Sequence, residues 1–175
     1  MYPKPRSSPD QSSVSVSVLS QNDEHTFAED FHGAYTDFLV SISDFSSLRA
    51  HSVSEMMAKV RGVVARRKLR SLHVLGHGMP NFAEIGSDTI FAHDANRWIP
   101  VFAPLRPLFA PGAFVHLHHC YVGMSKEILT SLAKGFGVPV YGGLDQENPI
   151  LGYNRGMFAC GTPDGRYRMN LARPR

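Results

Sequence analysis

Apolar and polar residues alternate along Val14-Ser15-Val16-Ser17-Val18-Leu19, the period-two pattern of a half-exposed strand. Asp23 to Tyr35 offers a cap and then Phe27, Phe31, Ala34 and Tyr35 at helical spacing. Phe38 to Ile42 predicts a short second strand. A helix follows, capped by Ser52 or Ser54, with Met56, Met57, Val60, Val63 and Val64 on one face as core filler. Leu69 to Gly78 (LRSLHVLGHG) and Ala113 to Cys120 (AFVHLHHC) are compact apolar runs that predict buried strands. Met79 to Asp94 between them reads as a loop with a hairpin around Gly86. Pro100, Pro104 and Pro107 limit the next stretch to short helical turns. Ser125 to Phe136 is an amphipathic helix that Gly137 ends. Val138 to Gly143 predicts a short strand. Thr162-Pro163-Asp164-Gly165 then joins Met157–Cys160 and Arg166–Leu171 as a hairpin.

Strands alternating with helices predict an α/β fold with a mostly parallel sheet. At 175 residues the chain fits one domain, 14–175, behind a Pro/Ser-rich tail, 1–13. The net charge of +3 is mild. The basic run Arg66-Arg67-Lys68 lacks interleaved aromatic residues and reads as a solvated helix end, so no nucleic-acid partner is expected. Trp98, Phe91, Phe102 and Phe109 read as core or lid. No apolar run approaches the roughly 18 residues of a membrane helix. Met1 to Arg6 is not followed by the apolar stretch of a secretory signal, which predicts a cytoplasmic location for the chain as it stands. The Ser/Pro-rich start would also suit a delivered effector or a piece of a larger chain.

Cys120 and Cys160 make no disulfide framework, so each is read as a thiol. In parallel sheets chemistry gathers at the carboxyl ends of strands. Two apolar strands here end in reactive side chains, His77 and Cys120. As parallel neighbours they would deliver both to one edge, where an imidazole can activate a thiol. Gly78 permits close backbone approach, and its N–H with that of Cys120 could hold an oxyanion. The helix from Ser125 would aim its positive end towards Cys120.

An apolar strand ending in His-Gly, followed after roughly forty to fifty residues by one ending in Cys, resembles the caspase–gingipain–clostripain–separase clan of cysteine peptidases. The resemblance covers about Ser71 to Gly143. It is nearest to the small bacterial relatives, in which a loop like Glu84-Ile85-Gly86-Ser87 follows the His. It implies a caspase-like three-layer sandwich with helices on both faces. It implies a cysteine endopeptidase with His77 as general acid/base, Cys120 as nucleophile, Gly78 and Cys120 as oxyanion donors, a protein or peptide substrate, and no cofactor. Clan members that cut after Arg or Lys carry Asp two residues before the Cys; this chain has His118, leaving the specificity pocket to His118 and Asp145. The residue before the Cys is usually small, and here it is His119.

Two other readings stand beside this one. His77, His116, His118 and Cys120 are zinc-ligand types, although the spacing fits no common zinc motif and His116 lies far from Cys120 along a strand. A member of the clan that has lost activity and serves as an interaction module is the second. Asp94 could orient His77 or simply cap a loop. His73 reads as a core or interface histidine, and Cys160 as a buried thiol.

Overall fold

The computed structural model describes residues 13–20, 45–65, 67–146 and 157–174. The expected helix at Asp23 to Tyr35 and strand at Phe38 to Ile42 lie outside them, as does most of the tail. Among the described residues, seven strands form one mixed sheet, and three short strands form a second. In chain order the strands are β1 (Ser13–Ser20), β2 (Phe45–Ala50), β3 (Lys68–Leu75), β4 (Gly78–Met79), β5 (Phe82–Ile85), β6 (Asp88–Phe91), β7 (Phe109–His118), β8 (Val140–Gly143), β9 (Phe158–Gly161) and β10 (Tyr167–Leu171). The large sheet runs β10-β9-β8-β7-β3-β1-β2. The five strands from β8 to β2 pair in parallel, while β9 and β10 add antiparallel at one edge as the expected hairpin.

Among the described residues two helices, α1 (Val53–Val64) and α2 (Lys126–Phe136), pack against the sheet. Ser52 caps α1, its hydroxyl accepting from the Glu55 N–H, and Ser125 caps α2 through the Ile128 N–H. Gly137 ends α2 at a φ of 73°. Residues 92–108 form short helical turns, because their prolines cannot supply the N–H groups of a longer helix. No helix among the described residues is long and apolar enough to cross a membrane.

The two faces of the sheet are lined differently. Val14, Val16, Val18, Leu72, Val74, Val115, Leu117, Val140 and Ala159 join the buried faces of α1, α2 and the helical turns in one apolar core. Trp98, Phe102, Phe109 and Phe136 stack within that core, which assigns these rings to packing. Strand alternation sends Ser15, Ser17, Ser71, His73, His116, His118, Tyr141, Phe158 and Cys160 to the other face. The Val/Ser alternation of β1 therefore does not mark a half-exposed strand. Ser15 and Ser17 are 1% and 4% exposed. β1 is a central strand between β3 and β2, and its serines form part of a buried polar layer.

The small sheet β4-β5-β6 sits at the carboxyl edge of the large one. Its β5–β6 turn is anchored there by the Gly86 N–H donating to Ser20 Oγ at 2.7 Å and the Ser87 N–H donating to the His51 carbonyl at 2.9 Å. Gly86 holds a φ of +60° against the His51 backbone, where an added Cβ would come within 2.0 Å. Gly62, on α1, has nothing within 4 Å of a Cβ position. The two glycines should respond oppositely to alanine in urea or thermal denaturation. Gly62→Ala is expected to raise stability by about 0.5–1 kcal/mol. Gly86→Ala is expected to lower it by about 2–3 kcal/mol, through left-handed strain and the backbone clash together.

Candidate functional site

β3 and β7 pair in parallel with Leu75 opposite His118. Continuing each strand two residues brings His77 and Cys120 out at the same carboxyl edge, as their sequence positions predict. His77 is exposed and Cys120 is half-buried. β7 ends at His118 rather than at Cys120, so Cys120 lies in the turn beyond the strand. Tyr121 follows in the left-handed region, at φ 58°. A 3₁₀ turn, Val122–Met124, then leads into α2, which starts behind its Ser125 cap as its sequence predicts.

The loops carrying the two residues are tied together through backbone and one imidazole. The Gly76 N–H donates to the His118 carbonyl at 3.4 Å, and the Glu84 N–H to the His77 carbonyl at 2.9 Å. His119 is fully buried, with its Nε2 2.9 Å from the Glu84 carbonyl oxygen; the acceptor can only be that oxygen, so Nε2 carries the proton. A Cβ on Gly76 would sit 2.8 Å from His119 Nε2 and 2.4 Å from the Glu84 oxygen. A Cβ on Gly78 would sit 2.8 Å from His119 Cβ and 3.4 Å from the Cys120 oxygen. The Gly-His-Gly sequence thus has a packing reason on both sides of His77: the glycines admit the large residue that precedes Cys120. The same contacts place the Gly78 backbone beside Cys120.

Asp145 reaches this edge from the end of β8. Its carbonyl accepts from the Tyr121 N–H at 3.0 Å, one residue past Cys120, and its carboxylate accepts from the Gln146 N–H. Asp94 pairs with Arg97 at 3.1 Å within the helical turns. Part of the expected specificity loop, residues 147–156, lies outside the described residues.

His118 does not open towards a substrate pocket. It is 6% exposed and its ring packs on His116, 3.9 Å between centroids, and on His73 at 5.3 Å. His73 stands opposite His116 in the strand register. Its Nδ1 lies 3.0 Å from His118 Nε2, and its Nε2 lies 3.1 Å from Ser71 Oγ. Burial, with a smaller contribution from the Arg173 guanidinium, pushes His73 down to about 4. Burial first, then neighbouring His73, Arg173 and His119, holds His118 well below the usual imidazole range. The zinc-type set weighed from the sequence, with His77 and Cys120, is therefore not the one that gathers. His73, His116 and His118 gather instead, with ligand atoms all within 4.8 Å of one another. A strand-register argument could have found His73; its position within a buried strand hid it. Cys160 is a buried thiol, as expected, and burial pushes it up.

Comparison with protein-family models gave no match, and comparison with curated proteins gave none either.

If His119 fills the space that Gly76 leaves, the two positions should be coupled. Gly76→Ala is expected to cost about 2–4 kcal/mol and His119→Ala about 1–3 kcal/mol. The double variant should cost at least about 1 kcal/mol less than the sum, because removing the imidazole clears one of the two clashes. Chemical denaturation of the four-member cycle measures this; strict additivity would show that the two do not share the space.

Proposed function

We propose that this protein is a caspase-like cysteine endopeptidase whose Cys120 and His77 form the reacting pair. The observation that supports the reading most is the β3–β7 register, which brings a His-Gly strand end and a Cys strand end to one carboxyl edge. The left-handed turn at Tyr121 is a second support. It places a local strain of about 1–2 kcal/mol immediately after the proposed nucleophile, where a tight turn presents a side chain.

In this mechanism His77 takes the Cys120 Sγ proton, and the thiolate attacks the carbonyl carbon of an extended peptide. Negative charge develops on the carbonyl oxygen, which the N–H groups of Gly78 and Cys120 stabilise. The C–N bond breaks as His77 returns the proton to the leaving amine, giving a thioester and a free amino terminus. Water, deprotonated by His77, attacks the thioester. The C–S bond then breaks to release the carboxylic acid and restore the thiol. Asp145 carries the substrate-side charge beside Cys120, and His118, buried among histidines, does not serve in that role. No cofactor takes part in these steps.

The test needs no knowledge of the natural substrate. With a chelator present and pH fixed at 7, iodoacetamide alkylation of Cys120 and Cys160 is followed by mass spectrometry in wild type and His77→Ala. Cys120 is expected to react about tenfold faster in wild type than in the variant, while buried Cys160 stays slow in both. In parallel, a proteome-derived peptide mixture should acquire cleavages with wild type that Cys120→Ala does not produce. Equal Cys120 rates, together with cleavage patterns that Cys120→Ala shares, would overturn the assignment.

A further inference from the structure

The face of the sheet opposite the helices holds a cluster that the peptidase mechanism does not use. His116 and His118 stand two apart on β7, so both project to the same face. His73 projects to that face from the adjacent parallel strand, in register with His116. We propose that His73, His116 and His118 form a buried binding site for one divalent transition-metal ion, zinc being the natural occupant.

The geometry fits a small tetrahedral ion. Zn–N bonds of about 2.0–2.1 Å place two ligand nitrogens about 3.3 Å apart. His73 Nδ1 and His118 Nε2 are already 3.0 Å apart, and all three ligand atoms lie within 4.8 Å of one another. Imidazole rotation about a broad terminal torsion closes the remaining difference. Three histidines with a fourth position left over is a known ligand set for catalytic zinc.

The surroundings orient the ligands as an outer shell does. Ser71 Oγ donates to Ser15 Oγ at 2.9 Å, so its oxygen accepts from His73 Nε2–H at 3.1 Å. That fixes the tautomer of His73 and turns the Nδ1 lone pair into the cluster. With the proton of His73 on Nε2, its Nδ1 accepts from His118 Nε2–H at 3.0 Å, so an ion entering between the two rings takes the place of that proton. A charge among the described residues opposes the ion. The Arg173 guanidinium lies 6.0 Å from the Phe158 ring, and that ring packs edge-on against His116. Arg173 is exposed, and its charge should weaken binding.

The full chain is stripped with a chelator, incubated with zinc chloride and dialysed, and the metal is counted by mass spectrometry. About one zinc per chain is expected, with a rise in Tm. His73→Gln and His116→Gln should each weaken zinc more than about 100-fold, beyond the range of an outer-shell loss, and Ser71→Ala about tenfold. Arg173→Gln should tighten it. Cys120→Ala and His77→Ala should leave it unchanged, so a failed peptidase assay and a failed metal assay are separate results. Cobalt substituted into wild type should show tetrahedral ligand-field bands without a thiolate-to-metal band. That spectrum decides the matter even if the histidine variants fail to fold. No retained zinc, a thiolate-to-cobalt band, or binding lost with Cys120 or His77 would overturn the proposal.

Discussion

The parallel pairing of β3 with β7, Leu75 opposite His118, is the constraint on which the rest of the molecule depends. A slip of one residue would turn every side chain on one strand to the opposite face. Val115 and Leu117 would leave the apolar core, and the histidines of β7 would enter it. The core face thus enforces the register, and the register in turn sets what stands at the carboxyl edge and what stands on the polar face. His77 and Cys120 owe their common edge to it, and His73 and His116 owe their facing positions to it. One apolar packing requirement fixes two polar arrangements that do not contribute to that packing.

Beyond the strand ends, position is kept by hydrogen bonds and close approach rather than by apolar burial. The small sheet hangs from Ser20 and His51 through the Gly86–Ser87 turn, and from the His77 carbonyl through Glu84. His119 closes the arrangement from below, donating to the Glu84 carbonyl between two glycines. Loops held this way keep their ends fixed without apolar burial. At His77 the backbone is hydrogen-bonded on both flanks, while the residue itself is exposed.

Much of this was legible in the residues, for reasons that differ from element to element. β3, β7 and α2 were readable because burial on both faces, or on one helical stripe, leaves a plain period. The β5–β6 hairpin and the proline-broken turns were readable from Gly86 and from three prolines, which act locally; the third strand, β4, was not. β2 was not, because Phe-Ser-Ser-Leu-Arg-Ala has no clean period; its place comes from pairing with β1 at the sheet edge. The alternation in β1 was seen correctly and given the wrong cause. Period two reports that two faces differ, and solvent is only one way for them to differ; here the second face is a buried layer of serines and histidines. His119 looked like a departure from a small-residue preference. Its explanation lies with glycines more than forty residues earlier, which no local pattern connects to it.

The polar layer itself calls for a cause. Three histidines and the serines beside them occupy central strands of the sheet, where valine or leucine would pack without any hydrogen-bond requirement. Stability alone does not favour them, since each neutral imidazole must find partners that an aliphatic side chain would not need. One chain of hydrogen bonds runs from His118 Nε2–H to His73 Nδ1, and from His73 Nε2–H to Ser71 and on to Ser15. The nitrogens of His73 and His118 that share this proton lie, with one of His116, within 4.8 Å of one another. The proposed ion would replace the shared proton and draw all three rings to one centre. Because His118 lies two residues before Cys120 on the same strand exit, an ion held there would also stiffen the end of β7, coupling the buried layer to the edge where the thiol emerges.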